Sequence, residues 1–383
     1  MAFVHLPFDA PLADYQKQAD DLIAGWQRND QNAVEVFCRR HPKFLDSKIP
    51  WLQRDMTPEA VRATPIDYAD AQMAVARHYD FADWQRLTEY AEAVSVTGSA
   101  VHRFERAVEA VIDGDLETLR SLLNADPGLV GARSTRVTHF DPPVHGAMLL
   151  HYVAANGVEG YRQRSPTNAA DVARLLLESG ADPNALCNLY GGACTTMALL
   201  VSSTPPQQAG VQVPVLHVLI DHGASVWPAG EGSWTSPIET ALVFGMTDAA
   251  RALLERGAPV QSLAAAAGLG EIEDVRRMLP AASALDRHRA LALASQLGQI
   301  EVVKLLLDAG EDPNRFNPPG AHSHSLPLHQ AVAAGELEMV KLLIDRGARL
   351  DIRDTIHQGT PLGWARYCDQ PQIAEYLQSK GAR

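Results

Sequence analysis

A short motif recurs along most of the chain: a Gly-Ala pair that closes a leucine-rich segment. Two of the intervals between consecutive pairs, Gly223 to Gly257 and Gly347 to Gly381, are 34 residues long. A period of this size is typical of stacked supersecondary units rather than of one enclosing core. The length of 383 residues fits either several domains or a repeat array, because a single core seldom serves more than about 250–300 residues, so the periodicity decides between them. The Gly-Ala pairs begin at Gly180, Gly223, Gly257, Gly347 and Gly381, and Gly310-Glu311 is a variant.

The residues around each pair predict two helices per unit. Thr360-Pro361 places a hydroxyl at a helix N-cap and Pro at the first helical position. In another copy, a Gly turn at Gly335 precedes a second helix, and Gly347 supplies the left-handed residue that ends it. Neither helix can bury its apolar face alone, so neighbouring units must stack. We therefore expect Leu343 to pack between stacked helices.

These motifs carry a resemblance to a known family. The stretch Leu326-Pro327-Leu328-His329-Gln330-Ala331, continued by Val340-Lys341-Leu342-Leu343, resembles the ankyrin consensus. The chain as a whole is similar to bacterial ankyrin-repeat proteins. The resemblance implies an all-α ankyrin-repeat solenoid of about eight units, some divergent or with insertions, over residues 98–383. Further copies begin at Leu149 and Thr360, and weaker ones near Arg103, Thr195, Ser236, Ser262 and Arg289.

Residues 1–97 do not show the repeat. We interpret them as an N-terminal helical region that caps the apolar end of the solenoid, with a separate ligand-binding domain as the alternative. The apolar pattern and Pro42 predict helices over residues 12–28, 31–40, 67–79 and 81–94.

The early units are longer than the period allows. From Gly180 to Gly223 the chain runs 43 residues, with the excess in 201–212, and the unit before it is enlarged at 158–168. Long loops on a rigid scaffold are common sites of function.

Charge and composition exclude several classes of partner. The net charge is −13, with 46 acidic and 33 basic residues and no basic stripe, so we expect no binding to nucleic acid or to an anionic membrane. We also expect no signal peptide and no membrane span. The four cysteines form no CxxC pair, which favours free thiols in a cytoplasmic monomer; they are Cys38, Cys187, Cys194 and Cys368.

Ankyrin arrays bind through their β-hairpin loops, the fingers, and through the first helices, which line a concave groove. The resemblance implies that Tyr152, Gln330 and Trp364 face this groove, because each follows the consensus His position. Trp234 precedes a Ser-Pro helix start and should lie on a finger. Tyr and Trp are common interface anchors.

The histidines fall into two kinds. His151 and His329 occupy the consensus position, where the imidazole normally bonds the backbone of a neighbouring finger. His322 and His324 alternate along an extended finger, so both side chains point the same way and can reach one ligand. No Cys or carboxylate beside them completes a metal site, so we predict no metal and no cofactor.

The enlarged loops carry a second candidate site. Glu159 and Arg162 lie in the first of them, and Tyr190 follows in the next unit. Glu159 with His145 or His151 suits acid–base chemistry, and Arg162 suits a carboxylate ligand. No nucleophile elbow, phosphate loop or dinucleotide fingerprint is present, so no catalytic residue is assigned.

Two functional hypotheses follow. The first is a binding protein whose concave groove holds a protein partner. The second is an enzyme or small-molecule receptor whose site is built from residues 139–163 and 187–213. Under either hypothesis we expect Arg162 and Trp364 to be partly exposed, so that their replacement by Ala changes stability by only about 0.5 kcal/mol.

Overall fold

A computed structural model describes residues 4–227 and 236–383. The chain forms two compact units, Met1–Gly223 and Ala224–Arg383, called unit 1 and unit 2 below. Within the described residues the chain is helical apart from one two-stranded hairpin, which confirms the all-α prediction. The contacts divide the chain at Gly223, whereas the sequence predicted a boundary near residue 97. No helix in these ranges combines the length and apolar character needed to cross a bilayer.

Unit 1 begins with the non-repetitive helices. Four of the five occupy the predicted segments. Their starts are fixed locally: Asp30, Asp67 and Asp83 each accept hydrogen bonds from the first-turn backbone of the helix that follows. The five helices are α1 (Leu12–Gln27), α2 (Gln31–Arg40), α3 (Pro58–Ala63), α4 (Tyr68–His78) and α5 (Trp84–Ser95).

The rest of unit 1 holds the first repeats. The hairpin pairs Cys187 with Cys194 in antiparallel register, and all four cysteines of the chain are free thiols. The repeat elements are α6 (Ala100–Asp113), α7 (Leu116–Ala125), α8 (Leu149–Val153), α9 (Ala169–Glu178), β1 (Cys187–Leu189), β2 (Gly192–Cys194), α10 (Thr196–Leu200), α11 (Thr204–Gln208) and α12 (Gln212–Asp221).

The N-terminal helices pack directly onto these repeats. Helix α5 packs against α6, and Ala82 N donates to Val137 O at 3.0 Å, which joins the α4–α5 turn to the loop before α8. The buried apolar residues of this region form one continuous cluster that includes Phe37, Val75 and Leu87. This packing is what a cap on the first repeat requires.

Unit 2 consists of paired helices with the predicted Gly turns. Gly335 has φ 78° between the two helices of one pair, and Gly347 has φ 91° at the end of the second, both in the left-handed region that favours glycine. The helices are α13 (Pro237–Val243), α14 (Thr247–Glu255), α15 (Leu263–Leu269), α16 (Ile272–Met278), α17 (Ala284–Gln296), α18 (Ile300–Asp308), α19 (Pro327–Ala333), α20 (Leu337–Asp345), α21 (Pro361–Tyr367) and α22 (Pro371–Ser379).

The Gly310-Glu311 variant has a local explanation. The Glu311 carboxylate is buried, and its Oε1 accepts a hydrogen bond from Arg287 Nε at 3.0 Å. His288 Nδ1 lies 3.6 Å from Glu311 Oε2. Glu is accommodated where other copies have Ala because the first helix of this pair, which contains Arg287 and His288, supplies a guanidinium and an imidazole to the buried carboxylate.

Leu343 tests the stacking. Its side chain is fully buried in one continuous core with residues of the neighbouring repeats. We expect Leu343→Ala to lower the free energy of unfolding by about 2–5 kcal/mol, because the lost methyl groups leave a cavity. Urea unfolding followed by circular dichroism measures this loss. A loss below about 1 kcal/mol would contradict the assigned packing.

Candidate functional site

The enlarged early units bring four polar side chains together inside unit 1. His145 Nε2 lies 3.0 Å from Glu159 Oε1, and the Tyr152 hydroxyl donates to the same oxygen at 3.1 Å. Glu159 precedes a short 3-10 turn, Gly160–Arg162. That turn brings Arg162 Nη1 to within 3.7 Å of Glu159 Oε2. The pairing of Glu159 with His145 that the sequence left open is therefore present.

Two residues that the sequence analysis did not single out complete this group. Arg162 Nη1 lies 2.6 Å from Glu105 Oε2, and Arg136 Nε lies 3.4 Å from Glu105 Oε1. The Arg136 guanidinium also sits over the Tyr90 ring, 4.2 Å from its centroid. We call these residues the buried charged cluster: Glu105, Arg136, His145, Glu159 and Arg162.

A sequence signal for Glu105 existed. Helix α6 buries Phe104, Val108 and Ile112 on one face, and Glu105 stands on the same stripe. A carboxylate at a position that helical periodicity assigns to the core requires a buried partner. No such signal exists for Arg136, which lies in the irregular loop before α8.

The buried charged cluster brings two guanidiniums and an imidazole to two carboxylates. Burial alone would raise the pKa of Glu159. The charge of Arg136, the hydrogen bond and charge of His145 and the charge of Arg162 outweigh burial, so the pKa of Glu159 lies below its ordinary value. The carboxylate is therefore ionised throughout the neutral range.

The burial of these residues corrects the predicted groove positions. Tyr152 is 1% exposed, Glu159 1% and Arg162 2%. The expectation that Arg162 is a partly exposed side chain is wrong, because its guanidinium points inward to Glu105. Tyr152 is likewise buried, its hydroxyl donates a hydrogen bond to Glu159, and it does not line an open groove. The cluster joins α6, the loop before α8 and the segment after α8 into one core.

The consensus histidines are structural, as expected. His151 accepts a hydrogen bond from Met148 N at 3.0 Å through Nδ1, and its Nε2 lies 3.1 Å from Ala185 O on the next finger. His329 repeats the pattern, with Nε2 3.2 Å from Gly359 O. Burial lowers the pKa of His151 to about 4, which keeps the ring neutral and able to serve one donor and one acceptor.

Two adjacent fingers of unit 1, residues 132–148 and 181–195, carry exposed apolar side chains. Tyr190 is at the hairpin tip, where it and Gly191 adopt φ 53° and 76°, as a two-residue type I′ turn requires. We call four residues the unit 1 finger surface: Phe140 at 44% exposure, Val144 at 45%, Leu186 at 46% and Tyr190 at 64%.

The two fingers are held side by side. Asn188 N donates to His145 O at 2.8 Å. Arg133 Nη1 donates to Gly146 O at 2.7 Å and to Leu186 O at 2.8 Å, so one guanidinium bridges both loops. Val144 and Leu186 line an open depression of about 620 Å³ together with Arg133.

In unit 2 the predicted residues separate into two groups. His322, His324 and Trp364 lie together: the two imidazole centroids are 6.2 Å apart, and His324 stacks on the Trp364 indole at 5.9 Å. Trp364 is half-buried, and its Nε1 donates to Asp354 Oδ2 at 3.0 Å. His322 Nε2 lies 2.9 Å from Val243 O.

Gln330 does not join this group. It is only 6% exposed, and its Nε2 donates to Ser325 Oγ at 2.8 Å, so its predicted place on an open groove is wrong. Trp234 lies outside the described residues. Within residues 4–227 and 236–383, no three His, Cys, Asp or Glu side chains are placed to hold a metal ion.

Comparisons with known proteins agree with the paired helices. A family model for a single ankyrin repeat matches residues 287–318, and one for three copies of the ankyrin repeat matches residues 318–383. Among solved structures, the ankyrin repeat domain of human ASB11 is similar at 20% identity and a TM-score of 0.35, covering 71% of this chain and 96% of that chain. No curated protein matches the sequence.

Replacing Arg162 tests the structural role of the cluster. We expect Arg162→Ala to lower the free energy of unfolding by about 3–5 kcal/mol, because two buried carboxylates, Glu105 and Glu159, then share Arg136 as their remaining guanidinium. Arg164→Ala is the matched control. Its side chain is half-exposed and pairs with Asp113, so its loss should stay within about 1 kcal/mol. Urea unfolding measures the free energy of unfolding of both variants. Equal losses in the two would contradict a structural role for Arg162.

The pH dependence of stability follows from His151. Its pKa is about 4 in the fold against 6.5 for a free imidazole, so the unfolded chain takes up a proton first as the pH falls. Stability is therefore full above pH 6.5 and declines towards pH 4. We expect His151 to account for on the order of 1–2 kcal/mol between pH 7 and 5. Urea unfolding should show a smaller pH slope in His151→Gln, and an unchanged slope would refute this assignment.

Proposed function

Because this chain is an ankyrin-repeat protein, we propose that it is a binding protein that holds a protein partner on the unit 1 finger surface. Ankyrin repeats are generally protein–protein interaction modules. The finer assignment to these fingers rests on the side chains described above and on how they are supported.

One observation carries the proposal: four large apolar side chains project from two adjacent fingers that are fixed to each other. Phe140, Val144, Leu186 and Tyr190 are each 44–64% exposed. Val144 and Leu186 line the same depression, and exposed apolar groups on a rigid support are typical of interaction surfaces. The support here includes the Arg133 bridge between the fingers and the His145 ring, which the buried Glu159 carboxylate holds.

Burial argues against the enzyme alternative. A general base must reach a substrate proton directly or through one water, yet His145 is 2% exposed and Glu159 is 1% exposed. The polar groups that the depression between the fingers offers are mainly those of Arg133, Ser134, Thr135 and Asn188. Small ligands generally bind in enclosed pockets. This depression is open, so it suits contact with a protein better than binding of a small molecule.

A second surface in unit 2 extends the proposal. The Trp364 indole is fixed by its hydrogen bond to Asp354 and stacks on His324, so the ring is oriented before a partner arrives. Fixed, half-exposed aromatic rings lose little entropy on binding. We assign Trp364, His322 and His324 to partner contact in unit 2.

We further propose that the protein is a cytoplasmic monomer and that it does not bind nucleic acid.

Substitution on the fingers tests the function. We expect Leu186→Glu to weaken partner binding roughly tenfold or more, because it places a charge in the centre of an apolar contact. Leu285→Glu is the matched control. Leu285 is a leucine of similar exposure, 48% against 46% for Leu186, on helix α17 of unit 2. The free energy of unfolding of both variants should stay within about 1 kcal/mol of that of the parent.

The measurement has two stages. Proteins captured from a lysate of the source organism are quantified for the parent chain and both variants, and the dissociation constant is then measured with the purified partner. The proposal expects a partner that Leu186→Glu loses and Leu285→Glu keeps. A partner retained equally by both variants would remove the interaction from the unit 1 finger surface.

A further inference from the structure

Residues 4–10 lie against the helices of unit 1 as an irregular segment that ends in a turn, in which Ala10 N donates to Pro7 O at 3.1 Å, and we call this segment the strap. Leu6 and Phe8 are half-buried against the core of the N-terminal helices, whereas Val4, His5, Pro7 and Asp9 are exposed. Side chains of the helical scaffold hold the strap backbone through three hydrogen bonds of 2.9–3.0 Å, which join Tyr79 to Leu6, Tyr90 to Phe8 and Gln18 to Val4.

The strap inserts one ring between two others. The His5 imidazole stacks on His78 with centroids 4.1 Å apart and planes 11° apart. On its other face it stacks on Tyr161 at 4.9 Å and 14°, and the Tyr79 ring meets its edge at 5.5 Å and 89°. We call the space bounded by His78, Tyr79 and Tyr161 the aromatic slot. His78 and Tyr161 form its two stacked walls, and Tyr79 closes one edge.

The walls of the slot are held by groups other than the strap. The guanidiniums of Arg136 and Arg162 lie 5.6 Å and 5.4 Å from the centroid of the Tyr161 ring. The Tyr79 hydroxyl donates to Gln18 Oε1 at 2.9 Å. Two wall residues, Tyr161 and Tyr79, are thus supported by the buried charged cluster and by helix α1 as well as by the strap.

The surroundings of the slot select a neutral ring. Burial lowers the pKa of His5, a hydrogen bond with the His78 backbone and the charge of Asp80 oppose this, and the charges of Arg40 and Arg164 lower it further, so the pKa lies below its ordinary value. A second ring follows in the strap: Phe8 lies against His102, with centroids 5.7 Å apart. The strap therefore presents, in order along the chain, a ring, an apolar residue, a proline and a second ring.

We propose that the aromatic slot is a binding site for a non-helical segment of a protein partner that carries a neutral aromatic ring and, three residues later, a second ring after a proline. The strap is a tethered occupant of the same chemistry, and the partner segment displaces it. This site is separate from the unit 1 finger surface and does not depend on the function assigned to that surface.

The test opens the slot and supplies the strap in trans. The probe is an acetylated, fluorescein-labelled peptide of residues 4–10, Val-His-Leu-Pro-Phe-Asp-Ala. The opened protein is the full chain carrying His5→Ala and Phe8→Ala. Fluorescence anisotropy should show the probe binding the opened chain roughly tenfold or more tightly than the parent, whose own strap occupies the slot. The parent with His5→Phe, which refills the slot with a neutral ring, should bind as weakly as the parent.

Two variants in the opened background identify the slot. Tyr161→Ala removes one wall and should abolish the gain in affinity, and Gln18→Ala removes the bond to the strap backbone and should reduce it. Phe140→Ala, an exposed aromatic on a finger, should leave the gain intact. Circular dichroism melts report whether each variant is folded. If Tyr161→Ala is unfolded, the affinity of Gln18→Ala for the probe tests the proposal instead. An opened chain that binds no better than the parent, or folded slot variants that keep the full gain, would overturn the proposal.

Discussion

The contact between Arg162 and Glu105 ties the enlarged early units into a single core. Glu105 sits on the apolar stripe of α6, and Arg162 reaches it across 57 residues of sequence at 2.6 Å. Two charges removed from water destabilise a fold unless each finds its partner. Because α6 buries a carboxylate, the segment after α8 must return a guanidinium to it. The extra residues at 158–168 therefore form an ordered turn and not a loose solvated loop.

The same charges set the position of the fingers. Glu159 holds the His145 ring through Nε2, and the backbone oxygen of His145 accepts Asn188 N from the next finger. Ion pairs and hydrogen bonds need a defined geometry, so a buried group of them specifies one arrangement more narrowly than apolar packing does. The relative placement of Val144 and Leu186 at the surface thus depends on charges that no partner can touch.

The repeats could be predicted from sequence because their determinants are local. Caps, Gly turns and the apolar period all act within a few residues, and helices α1, α2, α4 and α5 were predicted for the same reason. Helix α3 was missed: it buries no side chain, so it lacks an apolar stripe, although Thr57-Pro58 is a cap signal. For the candidate site, the sequence predicted Glu159, His145 and Arg162, but it did not predict their burial or their partners Glu105 and Arg136. Arg162 and Arg164 look alike in sequence, and only the Gly160–Arg162 turn makes the first buried and the second exposed.

Tyr161 connects the buried charged cluster to the aromatic slot. One set of its contacts is with the guanidiniums of Arg136 and Arg162, and one face of its ring stacks on His5 of the strap. The cluster therefore supports the aromatic slot through Tyr161 and the finger surface through His145. Preorganised groups bind with a smaller loss of conformational entropy than groups that must first be ordered. Buried charges whose net contribution to stability is small or unfavourable thus have a clear physical role: they fix two surfaces of unit 1 from within one core.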